Sequence, residues 1–351
     1  CLVFSRMRCA KCIRHNFRKI INKWVFKLHR FSFKFLYFNV KQKYNWNFIF
    51  LEEKIFQYPN ISETAFTLNL FGLHLNVQWY GLSYIAGILL AWFFMVKLVQ
   101  NKDLWFANKS IIERSEVDDL ITYMILGIIV GGRLGYCLFY APAYYFDNPI
   151  RTLYIWEGGM SFHGGFLGVL IAGILFGMRK KISLLSLGDL IAFASPPGLF
   201  FGRIANFING ELWGKPTTST FGIQFTKGQG KFCPSSNEIP CFRHPSQLYE
   251  AFFEGIVLML IFYYLVFFYK ALKKPGIIFG SFLLGYGVIR FSIEFLREPD
   301  AFFITNDNPY GYVVELLPGV GISMGQLLTI PMIIFGLLMI FLITKRNLDA
   351  N

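Results

Sequence analysis

From residue 78 onward, the chain alternates long apolar stretches with short polar connections. Each stretch approaches the ~20 residues that an α-helix needs to cross about 30 Å of hydrocarbon. The predicted spans cover residues 78–99, 119–140, 161–178, 183–207, 247–269, 276–296 and 322–344. The pattern therefore predicts an all-α polytopic membrane protein with about seven transmembrane helices within residues 51–345.

Basic residues in the short connections set the expected orientation of the spans. They follow the first, third, fifth and seventh spans, at Lys97 to Arg114, Arg179 to Lys181, Lys270 to Lys274 and Lys345-Arg346. By the positive-inside rule these ends are cytoplasmic, so the first span begins outside and residues 346–351 form a cytoplasmic tail. The connection 208–246 then lies outside, and its length predicts a small head or lid.

Composition excludes an ordinary soluble domain, because 54% of the residues are hydrophobic and only 16% are charged. The net charge of +13 is concentrated in residues 1–50, which contain twelve Lys or Arg and no Asp or Glu. The other residues contain 34 − 12 = 22 basic and 21 acidic side chains, so we expect no nucleic-acid partner. We interpret residues 1–50 as a non-native or dispensable leader; the alternative is a basic arm lying on anionic lipid.

Four ionisable residues interrupt the apolar spans, namely His163, Arg203, Arg290 and Glu294. A charge near the bilayer centre costs on the order of 2.5 to 3.5 kcal/mol by insertion scales, so such residues usually face a polar cavity. The rise of about 1.5 Å per helical residue places His163, Arg203 and Arg290 at a similar depth near the external leaflet. Tyr80 and Arg133 are expected at the same depth, so five helices bring polar groups together there.

Two helix faces strengthen this expectation. One stripe contains Arg203, Asn206 and Gly210, and the other contains Tyr286, Arg290, Glu294 and Arg297. Guanidiniums at one depth, accompanied by amides and glycines, suit a phosphate that is bound by two-pronged hydrogen bonds. The alternative is structural: Arg290 pairs with Glu294, and Arg203 caps carbonyls where Pro196-Pro197 breaks its helix.

Other chemistries find less support. His163 is a candidate general base or a hydrogen-bond donor to phosphate. Its segment Gly159-Met160-Ser161-Phe162-His163 lacks the final glycine of a serine-nucleophile elbow, which argues against a serine hydrolase. The histidines and cysteines show no metal-binding spacing, so we expect neither metal nor cofactor. Cys233 and Cys241 are eight residues apart, which leaves open whether they pair.

The ordered motifs of the chain resemble the prolipoprotein diacylglyceryl transferase family over about residues 55–345. They are Trp79-Tyr80-Gly81, Gly131-Gly132-Arg133, Ser161-Phe162-His163-Gly164-Gly165, Gly202-Arg203 with Asn206, Asn209, Glu211 and Gly214, Arg243 to Gln247, Arg290 to Asp300, and Met324-Gly325-Gln326. The segment from Gly202 to Glu211 resembles the signature of that family. Mild departures, at Gln78 and at Ile204-Ala205, put no functional position in doubt.

The resemblance implies transfer of diacylglycerol from phosphatidylglycerol to the lipobox cysteine thiol of a prolipoprotein, with release of glycerol phosphate. It places this reaction at the outer, periplasmic leaflet of a bacterial inner membrane. The catalytic residues that it implies are His163, Arg203, Arg290 and Glu294. The residues that it assigns to binding phosphatidylglycerol are Arg203, Arg290, Tyr80, Asn206, Asn209, Arg133 and Gly214.

Two alternatives belong to other functional classes. A transporter of anionic metabolites would also contain arginines within the membrane, but the seven unequal spans show no two-fold internal repeat. An intramembrane hydrolase would require a nucleophile beside a base, and no serine or cysteine is obviously placed next to His163.

Overall fold

A computed structural model describes residues 56–59, 61–70, 73–231, 233, 241–299, 301–305, 308–317 and 319–349. The interpretation of residues 1–50 as a leader falls outside these residues. The expected cytoplasmic tail is described only as far as Asp349, the last residue of a long helix.

Ten α-helices form most of the described chain. In chain order they are α1 (Trp79–Gln100), α2 (Arg114–Phe139), α3 (Pro142–Asp147), α4 (Phe162–Lys180), α5 (Leu184–Ala194), α6 (Pro196–Asn209), α7 (Ser246–Glu250), α8 (Leu258–Phe267), α9 (Ile277–Ile293) and α10 (Met324–Asp349). A π-helical turn, Ala251–Val257, joins α7 to α8 in one continuous helix. Short 3-10 turns occupy Lys102–Leu104, Phe106–Asn108, Pro149–Leu153, Ile155–Glu157, Gly228–Lys231, Ala271–Lys273 and Ala301–Phe303.

The helices identify a membrane protein. Within the described ranges, four helical stretches are long and apolar enough to cross a bilayer: Trp79–Gln100, Arg114–Phe139, Ser246–Phe267 and Met324–Arg346. The pair α5–α6 adds a fifth span if it is counted as one. At 17 residues, α9 is shorter than a usual span. Among the described residues, four helices, or five with the bent pair, are thus long and apolar enough to be spans, and the predicted number of seven goes beyond this finding.

The helix break expected at Pro196-Pro197 is present. Helix α5 ends at Ala194, α6 begins at Pro196, and the two axes are bent by 40°. Proline has no amide hydrogen, so it cannot continue the preceding helix. It is favoured in the first turn of the next helix, where the amide hydrogens have no partner within the helix. The bend ends one apolar helix and starts a second one that contains Arg203.

The predicted helical membrane-protein class is confirmed at this level, and seven short strands that the pattern did not predict also occur among the described residues. They are β1 (Phe56–Gln57), β2 (Thr64–Leu70), β3 (Leu73–Gln78), β4 (Ile223–Gln224), β5 (Phe242–Arg243), β6 (Val314–Leu317) and β7 (Val320–Ile322). In one sheet, β4 pairs in parallel with β1 and antiparallel with β5. The pairs β2–β3 and β6–β7 form antiparallel hairpins. Backbone groups outside helices need hydrogen-bond partners, and these strands supply them.

The connection between α6 and α7 includes strands β4 and β5 and a disulfide. Cys233 and Cys241 are bonded to each other, which answers the question that their spacing left open. Disulfides persist in oxidising compartments. The bond is therefore consistent with a position of this connection outside the cytoplasm.

Glycines allow α2 and α4 to approach closely. A Cβ atom added to Gly131 would lie 2.3 Å from the carbonyl oxygen of Gly164, and one added to Gly168 would lie 2.0 Å from that of Gly127. Such close backbone contact is typical of helix pairs in membranes, where small residues at four-residue spacing form the interface. The start of α4, where His163 lies, is thus held directly against α2.

Buried apolar side chains from several helices form the main core. Leu120 of α2, Phe176 of α4, Leu190 of α5, Leu258 of α8 and Ile278 of α9 have no exposed surface. Buried Asp189 of α5 accepts hydrogen bonds from the backbone amides of Gly276 and Phe279, at 2.6 and 2.8 Å. Asp189 is therefore a polar tie between α5 and the start of α9.

Candidate active site

Helix α6 places its polar residues on one face. Arg203 and Asn206 are three residues apart and therefore lie on the same side of the helix. The helix ends at Asn209, and Gly210 follows in the left-handed conformation with φ of 67°, which favours glycine. Arg203 and Asn206 accordingly lie on one side of α6, whereas Asn209 lies at the end of the helix.

Tyr58 holds the end of α6 from the β1 side. Its hydroxyl donates to the backbone carbonyls of Phe207, at 2.7 Å, and Ile208. Burial, and secondarily the negative charge of Glu63, raises the pKa of Tyr58 to about 12. The phenol therefore keeps its proton at neutral pH and continues to donate, which fixes the last turn of α6.

Arg203 binds two glutamates of the facing helix. Its Nη1 lies 3.3 Å from Oε2 of Glu250, and its Nε lies 3.3 Å from Oε2 of Glu254. Both glutamates are fully buried, and Arg203 itself is only 16% exposed. A buried carboxylate requires a charged partner, so Arg203 stabilises both glutamates and is oriented by them.

Helix α9 and the segment that follows it bring two further arginines to Glu250. Arg290 donates from Nη1 to Oε1 of Glu250, and Nη1 of Arg297 lies 3.3 Å from the same oxygen. Through Nη2, at 2.8 Å, Arg290 also pairs with Glu294 one turn along its own helix. Ser323, just before α10, donates to Glu294 at 3.0 Å. The two carboxylate oxygens of Glu250 thus join α6 to α9.

We call this set the arginine–glutamate cluster; its members are Arg203, Arg290, Arg297, Glu250, Glu254 and Glu294. Three guanidiniums face three carboxylates, so the cluster has no formal net charge. The structure therefore brings Arg203 and Arg290 together, as their helix faces predicted, but through a shared carboxylate that the sequence reasoning did not identify. The suggested pairing of Arg290 with Glu294 is also present.

A second polar group adjoins the cluster along α6. Asn206 donates from Nδ2 to the hydroxyl of Tyr80, at 2.8 Å, and to Oε1 of Glu211, also at 2.8 Å. Buried Gln247 of α7 donates to the backbone carbonyl of Glu211. Tyr80 and Asn206, both predicted to bind lipid, are therefore in direct contact, and Glu211 is the third member of this polar group.

Gly214 lies where two chain segments cross. Its amide donates to the carbonyl of His244, at 2.9 Å, and its carbonyl accepts from Nη1 of Arg243, at 3.1 Å. A Cβ atom here would lie 2.6 Å from the carbonyl oxygens of both His244 and Leu296. The position requires glycine because the backbones approach so closely.

Arg133 is buried apart from the arginine–glutamate cluster. Its guanidinium donates to the backbone carbonyls of Arg151, at 2.6 Å, Thr152, at 2.9 Å, Gly158, and Gly159, at 3.3 Å. The ring of Tyr145 lies 5.1 Å from the guanidinium carbon. These contacts hold the connection between α3 and α4 against α2, and the assignment of Arg133 to phosphatidylglycerol binding stays a prediction.

His163 is the second residue of α4, and its side chain is exposed. Ser161 caps this helix by accepting from the amide of Gly164, at 3.2 Å. The ion pairs of the arginine–glutamate cluster join α6, α9 and the continuous helix from α7 to α8, and His163 belongs to none of these. The structure thus places His163 in the first turn of α4, with its side chain exposed.

Sequence reasoning missed Glu250 and Glu254. Both lie in the apolar stretch Ser246–Phe267, so the argument that identified Arg203 applied equally to them. Arg297 was predicted on the same helix face as Arg290, but it lies beyond the end of α9 and reaches Glu250 from there. Across the described ranges, no group of three or more His, Cys, Asp or Glu is arranged to hold a metal ion.

Comparisons with known proteins agree with these motifs. A family model described as prolipoprotein diacylglyceryl transferase matches residues 68–342. The phosphatidylglycerol–prolipoprotein diacylglyceryl transferase of Cereibacter sphaeroides (strain ATCC 17025) is 49% identical over 280 residues, 80% of this chain and 95% of that protein. The proteins of the same name from Rickettsia felis and Phenylobacterium zucineum are 48% and 47% identical, covering 80% and 76% of this chain and 95% and 89% of their own lengths. The chain therefore belongs to the prolipoprotein diacylglyceryl transferase family.

Proposed function

We propose that the protein transfers the diacylglyceryl group of phosphatidylglycerol to the thiol of a lipobox cysteine in a prolipoprotein. The observation that carries the proposal is the joining of Arg203 and Arg290 by one buried carboxylate, Glu250. Two guanidiniums fixed in this way can receive one phosphate between them. The names of the relatives give the same donor and acceptor. Neither the transporter nor the hydrolase alternative is favoured by the comparisons.

The reaction exchanges one bond for another. The thiolate sulfur attacks the glyceryl carbon that bears the phosphate oxygen, so a carbon–sulfur bond forms and a carbon–oxygen bond breaks. The bonding electron pair leaves with the phosphate oxygen, and glycerol phosphate departs with one more negative charge. Hydrogen-bond donors aimed at that oxygen lower the barrier because they bind the transition state more strongly than the ground state.

The cluster has donors available for this role. A guanidinium has five N–H groups, and the glutamates use only some of those on Arg203 and Arg290. Glu250, Glu254 and Glu294 hold the arginine planes in place before lipid arrives, which reduces the entropy lost on binding. Because the cluster is formally neutral, the phosphate shares the arginines with these carboxylates. This sharing limits how tightly the more highly charged product is held.

Removal of the thiol proton requires a base, since a free cysteine with a pKa of about 8.5 is only slightly ionised at neutral pH. His163 is our proposed base, and hydrogen bonding to phosphate is its alternative role. Tyr80, Asn206 and Asn209 are proposed to contact the lipid headgroup. For Gly214 we propose a backbone role, because its neighbours leave no room for a side chain.

We place the site at the outer leaflet of the bacterial inner membrane, with seven spans and the C-terminus in the cytoplasm. The basic connections and the Cys233–Cys241 disulfide support this orientation. Residues 208–246 then form the external head. Cysteine-accessibility labelling tests this arrangement: a probe at Thr218 should react from outside, and one at Lys345 only after permeabilisation. The reverse pattern would overturn the orientation.

Reconstitution tests the function directly. The purified protein is incubated in phosphatidylglycerol vesicles with a lipobox peptide, and the peptide is analysed by mass spectrometry. The expected product is a peptide with one diacylglyceryl thioether, together with free glycerol phosphate. A peptide with serine in place of the lipobox cysteine is the matched control. Lipid hydrolysis without peptide modification would support a hydrolase, and an unmodified lipid and peptide would contradict the proposal.

A further inference from the structure

The hairpin β2–β3, immediately before α1, has one polar and one apolar face. Directly opposed residues of antiparallel strands share a face, and Thr67 pairs with Asn76 while Asn69 pairs with His74. Thr67 donates to Asn76 at 2.9 Å, and His74 lies 2.5 Å from Asn69. These four exposed residues form the polar face.

The opposite face of the hairpin is apolar and is not covered by the described protein. It contains Phe66, which pairs with Val77, and Leu68, two residues along the same strand. Phe66 is 46% exposed and Leu68 is 42% exposed. Neighbouring large apolar side chains that remain exposed generally mark a surface that binds a partner or a membrane.

Residues 64–78 contain no Asp, Glu, Lys or Arg. A hairpin in water usually protects its open edges with charged residues, and an isolated two-stranded sheet is at best marginally stable there. The open edges still need hydrogen-bond partners, which excludes the hydrocarbon centre of a bilayer. The interface between headgroups and acyl chains satisfies both conditions, because it offers polar partners beside an apolar medium.

The hairpin is also attached to a membrane span. Strand β3 ends at Gln78 and α1 begins at Trp79, whose amide donates to the carbonyl of Glu63 at 3.1 Å. Half-buried Trp79 and Tyr80 begin the helix, and both residue types are enriched at membrane interfaces. These connections keep the hairpin beside the leaflet at which α1 starts.

We propose that the β2–β3 hairpin lies flat in the membrane interface, with Phe66 and Leu68 in contact with the acyl chains of that leaflet. The polar face, which includes Thr67 and Asn76, is turned toward water. The hairpin thereby fixes the depth at which α1 enters the bilayer, and with it the depth of Tyr80. This inference depends on α1 being a membrane span and is independent of the proposed reaction.

Site-specific photo-crosslinking tests the orientation of the hairpin. The photoreactive residue p-benzoylphenylalanine replaces Phe66 in one full-length variant and Thr67 in its matched control, since these neighbours lie on opposite faces. A second pair of variants carries it at Leu68 and Asn76. Each protein is reconstituted in vesicles of phosphatidylglycerol and phosphatidylethanolamine, irradiated and analysed by intact mass. If the Phe66 variant does not accumulate, the second pair provides the comparison.

We expect lipid adducts to be several-fold more abundant at Phe66 and Leu68 than at Thr67 and Asn76. Equal adduct levels on the two faces would overturn the proposal. Crosslinked dimers in place of lipid adducts at Phe66 and Leu68 would also overturn it, because a second copy of the chain would then cover the apolar face.

Discussion

Arg133 and Arg203 are both arginines within apolar helices, but their guanidiniums have different partners. Arg203 faces two carboxylates, whereas Arg133 faces four backbone carbonyls. Carboxylates balance the charge of an arginine while leaving some of its donors for a second anion. Four carbonyls from one connection use most of the donors and hold that connection in place. The chemical nature of the partners, rather than burial or depth, therefore distinguishes Arg203, our proposed phosphate ligand, from Arg133, which is bound to the backbone.

The largest effect should follow replacement of the arginines that face carboxylates. Arg203→Lys and Arg290→Lys keep the charge but lose the planar, two-pronged donor. Loss of one donor to a developing negative charge typically lowers the rate by about 10²- to 10³-fold. The double variant should be far less impaired than the product of the two effects, because both residues serve one anion. Initial rates of diacylglyceryl transfer provide the measurement; near-normal rates in both folded single variants would refute the phosphate-binding role.

Among the carboxylates of the arginine–glutamate cluster, replacement of Glu250 should lower stability the most, because three arginines contact it. Glu250→Gln keeps the shape but leaves buried positive charge without its counterion, which typically costs about 3 to 5 kcal/mol of stability. Glu294→Gln should cost less, since Glu294 pairs with Arg290 alone. Thermal unfolding in detergent measures both changes. Equal melting temperatures for the two variants would show that Glu250 does not hold the cluster together.

His163 lies at the start of α4 and is our proposed base, so replacing it tests that role. His163→Gln should lower the transfer rate most at neutral pH. The rate should recover partly as the pH rises through about 8.5, because the substrate thiol then ionises without help. A pH–rate profile against the parent protein checks this expectation. A uniform loss at every pH, accompanied by weaker lipid binding, would instead assign His163 to the phosphate.

Arg133→Lys should affect stability more than lipid binding. The ammonium group cannot reach all four carbonyls, and each buried acceptor left without a donor costs about 1 to 3 kcal/mol. The melting temperature should therefore fall, while the KM for phosphatidylglycerol should stay near its normal value. The loss of rate should be smaller than in Arg203→Lys, which is the matched comparison. A raised KM without loss of stability would place Arg133 among the lipid-binding residues after all.

The smallest effect on transfer activity is expected from removal of residues 1–50. The family match begins at residue 68, and the resemblance of the motifs begins near residue 55. A protein that starts at Leu51 should therefore insert and transfer diacylglycerol as the full chain does. Expression level and transfer rate are the two readouts. Loss of activity at normal expression would favour the interpretation of residues 1–50 as a lipid-binding arm.

From the sequence, the double proline predicted the helix break at Pro196, and the rule that a bilayer rejects charges located Arg203 and Arg290. The same rule would have found Glu250 and Glu254 if it had been applied to acidic residues as well. The hairpin β2–β3 was not predicted although Phe66 and Leu68 alternate with Thr67 and Asn69, because this short alternation precedes the first long apolar stretch. Both omissions concern signals that were present in the sequence.

The partners of Arg133 could not be predicted from sequence. They are backbone carbonyls, which every residue possesses, and their position depends on how the connection from Arg151 to Gly159 is folded. Gly158 and Gly159 adopt positive φ angles of 83° and 77° there, in a region of conformational space that favours glycine. The position of Arg133 in the sequence does not indicate this backbone conformation. Long-range contacts to the backbone therefore require the structure.

The π-helical turn Ala251–Val257 has a consequence for how this enzyme can evolve. Such a turn is wider than an α-helical one, as if the helix had accepted an additional residue. Deleting one residue here would restore regular winding and leave the segments on either side in nearly the same relative orientation, because the wide turn already absorbs that residue. Deleting one residue from a regular part of this helix would instead rotate the segments on its two sides by about 100° relative to each other. A change in chain length should therefore be tolerated at this turn and eliminated by selection in the regular part of the helix that contains Glu250.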